Sequence, residues 1–112
     1  MIGSIRTGCL LASLTLLAAC SENQVSCGGK VSPGQIDRLA MVVVEKAKAD
    51  SKAFCAGSPS GCDYAVATTP NGWSVAATRV FSVKDQCVSR IGDERFYSYD
   101  ASGSLVRVLE GI

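Results

Sequence analysis

The period of the apolar positions changes twice along this chain, and the changes mark out its parts. After a lone Arg6, the run Gly8 to Leu17 is almost continuously apolar. At about 1.5 Å per helical residue it is too short to cross a hydrocarbon core of roughly 30 Å. Ser21 to Val31 is polar and contains glycine. Then Ile36, Leu39, Ala40, Val43 and Ala47 recur at spacings of three and four, the period of an amphipathic helix. Ser32-Pro33-Gly34-Gln35 fits a capping box ahead of them, with Ser32 as N-cap, Pro33 at the first helical position and Gln35 reaching back. Asp37 at the start and Lys46, Lys48 and Lys52 late complement the helix dipole. Gly57 and Pro59 end the pattern, so one helix is predicted over about 33–53.

Beyond Cys62 the period falls to two. Tyr64, Val66 and Thr68 alternate with small residues, and Pro70-Asn71-Gly72 supplies a hairpin turn. Trp73 to Val83 returns as a strand, and a loop follows around Asp85 to Asp93. Arg95 to Tyr99 and Leu105 to Leu109 form a second hairpin across Asp100-Ala101-Ser102-Gly103, with Gly103 in the left-handed position. One helix packed on an antiparallel four-stranded meander makes a two-layer α+β domain. Its element order resembles the cystatin-like and NTF2-like arrangements, a likeness of shape that implies no function.

The second strand poses a question. Trp73, Val75, Ala77, Arg79, Phe81 and Val83 share one side; Ser74, Ala76, Thr78, Val80 and Ser82 share the other, which is small enough to lie under the helix. Arg79 interrupts the apolar row. Either the aromatic residues are core and a bulge switches faces at Arg79, or Trp73, Arg79 and Phe81, extended by Tyr97 and Tyr99, form a partner-binding patch.

Leu17-Ala18-Ala19-Cys20 closes the first apolar run with small residues and a cysteine. It resembles the lipobox of bacterial lipoproteins, in which a peptidase cuts before the cysteine and lipid is attached to it. The resemblance implies a signal peptide over 1–19, lipidation of Cys20, a tether over 20–31 and a domain over 32–112. It also implies a membrane partner through the lipid anchor. Ser21, where Asp would favour inner-membrane retention, points to a periplasm-facing outer-membrane lipoprotein.

This reading simplifies the charges and the cysteines. The chain carries 11 basic and 10 acidic residues, and Arg6 leaves with the signal. The balance that remains gives no electrostatic footprint for nucleic acid. Of six cysteines, Cys9 is removed and Cys20 is lipidated, which leaves Cys27, Cys55, Cys62 and Cys87. Four in a small exported domain read as two disulfides, and their spacing lacks the C-x2-4-C pairs of structural zinc sites. Turn residues between Cys55 and Cys62 favour Cys55–Cys62 with Cys27–Cys87, while Cys62–Cys87 stays open as a competitor.

There is no histidine, so the commonest general base and every Ser-His or Cys-His pair are missing. Asp93-Glu94 falls in a loop, and Cys27-Gly28-Gly29-Lys30 lacks the strand-to-helix setting of a phosphate loop. The expectation is a non-enzymatic domain with no cofactor and no metal. Ser60-Gly61-Cys62-Asp63-Tyr64 resembles the S-G-x-x-Y string of the periplasmic lysozyme inhibitors, which implies contact roles for Ser60 and Tyr64. Together these readings suggest a membrane-anchored protein-binding domain, either an inhibitor or an immunity protein. The alternative is an accessory lipoprotein of an envelope or secretion assembly.

Overall fold

The computed structural model describes residues 26–111. The expected signal segment, Cys20 and the first half of the expected tether lie outside them. The described chain is α+β, a mixed five-stranded sheet with helices on one face. Strand β1 (Val31–Ser32) comes first, followed by helix α1 (Arg38–Asp50) and the single turn α2 (Lys52–Cys55). Strands β2 (Cys62–Thr69) and β3 (Gly72–Arg79) form a hairpin. A separate ribbon follows, β4 (Phe81–Val83) with β5 (Gln86–Val88), and the chain closes with β6 (Glu94–Asp100) and β7 (Leu105–Glu110). The sheet order is β1-β2-β3-β6-β7, with β1 parallel to β2 and the other pairs antiparallel.

Several expectations need correction. The sheet is not a four-stranded meander, because Val31 and Ser32 pair with Tyr64 and Ala65 as a fifth, parallel strand. The long strand expected from Trp73 to Val83 breaks at Val80, and its second half folds back as the ribbon. The helix is shorter than 33–53 at its start and is not the first element. Ser32 is already committed to the sheet, so it cannot cap. Asp37 caps instead, its carboxylate accepting from the Ala40 amide at 2.8 Å. With the start at Arg38, the buried stripe becomes Ala40, Val43, Val44 and Ala47, and Leu39 turns outward.

The tether also ends earlier than expected. Cys27 is disulfide-bonded to Cys87, the Gly29 amide donates to the Cys62 carbonyl at 2.7 Å, and Val31 is in the sheet. Among the described residues, the folded body therefore includes the chain from Cys27 onward.

The helices cover the face carrying Tyr64, Val75, Ala77, Tyr97 and Tyr99. The small-residue side of β3, expected beneath the helix, is the opposite face. Packed layers lie about 10 Å apart, and Ser74, Ala76 and Thr78 are too short to fill that gap. Three tyrosines do fill it. Two polar ties fix the helix over them: the Tyr99 hydroxyl donates to Asp50 at 2.8 Å, and Lys46 donates to the Gly103 carbonyl at 2.7 Å. Gly103 occupies the left-handed region at φ +84°, as the turn reading required. Within that turn the Asp100 carboxylate accepts from the Ser102 hydroxyl and from the Ser102 and Ser104 amides. Those bonds hold its carboxyl below the ordinary range, the Ser102 hydroxyl foremost.

Both disulfides are those favoured by spacing, Cys27–Cys87 and Cys55–Cys62. Cys55–Cys62 staples the end of α2 to the start of β2, and Cys27–Cys87 clips the incoming chain to the ribbon. Both lie toward one end of the sheet, opposite the β2–β3 and β6–β7 turns.

Candidate protein-binding surface

The residues singled out from sequence do not form one surface. Tyr64, Tyr97 and Tyr99 are core, each under a tenth exposed. The Tyr64 hydroxyl lies 3.7 Å from Cys55 Sγ beneath the helix, so it cannot reach into a partner's cleft as the inhibitor resemblance implied. Ser60 is half-buried, its amide donating to the Ser58 hydroxyl at 3.3 Å. Trp73 is half-buried against the core. Burial, joined for Tyr99 by its hydrogen bond to Asp50, raises the phenol pKa of Tyr97 and Tyr99.

Arg79 belongs to the apolar row because the row outruns the helix. At that end of β3 it donates to the Phe54 carbonyl at 2.9 Å and to Asp93 at 3.3 Å, and stacks 4.1 Å from the Phe54 ring. Arg95 stacks on the same ring, 4.7 Å from its centre. The Phe54 carbonyl also accepts from the Gly57 amide at 3.1 Å, so Arg79 adds a second, charged donor at the end of α2. Arg79 is thus a structural clamp. Phe81 sits on the ribbon under the Arg90 guanidinium, 3.8 Å away.

What sequence reading missed is the free edge. β7 closes the sheet on one side, and among the described residues nothing pairs with its outer flank. Leu105, Val106, Val108 and Leu109 are each between 43% and 61% exposed. Val108 and Leu109, opposite Tyr97 and Phe96, put apolar side chains on the two faces of the strand, and a register shift opposite Ser98 and Tyr99 sets Val106 outside the regular alternation. Edge strands of soluble domains are usually short or charged. The opposite edge obeys that rule, because β1 has two residues. β7 has six, of which Arg107 and Glu110 are charged, and Glu110 pairs with Arg95 at 3.3 Å.

Beside β7, on the sheet face away from the helices, lies an open groove of about 590 Å³ bordered by Thr78, Arg90, Ile91, Phe96 and Leu109. The signal for this surface was present in sequence: Leu105-Val106-Arg107-Val108-Leu109 does not alternate in polarity. A strand with both faces buried, or one awaiting a neighbour, reads this way.

All four cysteines of the described domain are in disulfides, so none is a thiol nucleophile. Among the described residues no group of His, Cys, Asp and Glu gathers as a metal cluster, and no helix is long and apolar enough to cross a membrane. Comparison with protein-family models, curated proteins and solved structures finds no match.

Proposed function

We propose that this chain is a lipid-anchored exported protein whose domain binds a protein partner without catalysing a reaction, with β7 as the principal contact. The observation that carries the reading is the six-residue edge strand with apolar side chains on both faces. Its outward amides and carbonyls offer a ladder to an extended segment of the partner, and Leu109 and Phe96 beside the groove offer apolar contact. Inhibition of an envelope hydrolase or immunity against a toxin fits a small, disulfide-tied domain. The resemblance of Leu17-Ala18-Ala19-Cys20 to a lipobox supports the anchor, and the two disulfides are consistent with an oxidising compartment.

Crosslinking in native envelopes, followed by pull-down and mapping of the crosslinked peptides, tests the reading. Crosslinks to one partner should map to residues 105–110 and be lost in Val106→Asp, with the thermal midpoint unchanged because Val106 is 61% exposed. Capture that is indifferent to Val106→Asp, or crosslinks that map elsewhere, overturns β7 as the contact.

A further inference from the structure

The end of the sheet that carries Cys27 also carries two separate exposed apolar side chains that the domain's own core does not use, one at the ribbon turn and one in the loop beyond the ribbon's base. Ile91 is 99% exposed in the loop after β5, and Val83 beside the ribbon turn is 48% exposed. Lys84 and Arg90 lie next to them in sequence, with Asp85 between. The ribbon is no loose arm, because Cys87 joins it covalently to Cys27, where the chain enters the fold.

The number of residues between Cys20 and Cys27 bounds what lies near this end. Cys20 and Cys27 are seven positions apart, so the distance between them is at most about 25 Å even fully extended. The β2–β3 turn at the other end of the sheet stands off by the length of β2, eight residues or about 26 Å. Of the two ends, the one with the ribbon lies within that reach of Cys20.

We infer that the β4–β5 ribbon and Ile91 rest in the membrane interface, Ile91 and Val83 among the upper acyl chains and Lys84 and Arg90 at the phosphates. This is a statement about a phospholipid surface, and it rests on the lipid anchor at Cys20 proposed above. A tether this short keeps this end at high effective concentration beside the bilayer, so a contact too weak to recruit the domain suffices to orient it. The consequence is a fixed posture. The ribbon end lies against the bilayer, and the β2–β3 and β6–β7 turns point away from it.

Depth-dependent quenching tests the posture. The lipidated chain is placed in phosphatidylethanolamine–phosphatidylglycerol vesicles whose acyl chains are brominated near the headgroup. Trp73→Phe removes the native tryptophan, and Ile91→Trp or Asn71→Trp supplies a new one at either end. With Trp73 retained, the same comparison is made on the emission added over the parent chain. Emission at Ile91→Trp should fall about twofold, as for a residue 5–10 Å into the interface, and Asn71→Trp by less than about a tenth. Equal quenching at the two sites, or none at Ile91→Trp, in protein that floats with the vesicles overturns the posture and leaves the anchor standing. A full-length chain isolated from envelopes without lipid on Cys20, and failing to float, removes the anchor and the posture with it.

Discussion

Arg79 and the three buried tyrosines occupy one side of the sheet for different reasons. The tyrosines are there for volume, and two of them also carry a polar contact. Tyr99 is 2% exposed yet has its hydroxyl on Asp50, an exposed carboxylate at the end of α1. Burial first, then that hydrogen bond, raises its pKa, and burial does the same for Tyr97. A group whose pKa is raised by folding contributes stability that is complete below its unfolded value, about 10 for a phenol. That contribution is lost as pH rises from there toward the raised value. Stability should therefore fall as pH climbs above about 10. Tyr99→Phe keeps the ring and removes the Asp50 bond, so it should cost about 1 kcal/mol near neutrality and make the alkaline decline shallower. Urea midpoints at neutral and alkaline pH read both effects. An unchanged alkaline slope in Tyr99→Phe would mean that other groups govern it.

The elements show which signals in the sequence were readable and which were not. The two hairpins were legible because their turn residues and period-two alternation are local, and strands β2, β6 and β7 fall within a residue or two of expectation. The existence of the helix was legible from its apolar stripe. Its start was not, because two N-caps were available. Ser32-Pro33 has the stronger local pattern, but Val31 and Ser32 are claimed by pairing with Tyr64 and Ala65, more than thirty positions away. The candidate surface was hidden for a related reason. Whether Leu105 to Glu110 is an inner or an outer strand depends on what lies beside it, which periodicity does not report. The cap assignment is open to a direct test by substitution. Asp37→Ala should lower stability by about 1 kcal/mol through the lost Ala40 bond, whereas Ser32→Ala, exposed and away from the helix, should lie within about 0.5 kcal/mol of the parent. The opposite order in thermal or urea unfolding would restore Ser32 as the cap.

At the scale of the whole molecule the two disulfides do different work, and their magnitudes show why both matter. Cys27–Cys87 closes a loop of 60 positions, worth roughly 4 kcal/mol in unfolded-state entropy, and Cys55–Cys62 closes one of 7, worth roughly 2.5 kcal/mol. Burial narrows the gap. Cys55 and Cys62 are 8% and 3% exposed and belong to the core cluster, so replacing both by alanine also removes packing worth about 1–2 kcal/mol. Cys87 is exposed and contributes little of that kind. The two double variants should therefore be destabilised by similar amounts, each about 4 kcal/mol, but in different places. Without Cys27–Cys87, faster amide exchange should be confined to residues 27–32 and the ribbon 81–88, which the bond holds together, while β2, β3 and β6 stay protected. Without Cys55–Cys62, exchange should instead quicken at α2 and the first residues of β2, where the clip joins the helical layer to the sheet. Hydrogen exchange on the two variants separates these patterns. A shared pattern would mean that the ribbon and the core sheet open as one cooperative unit. In that case the ribbon belongs to the body of the fold and is not an appendage clipped to one end of it.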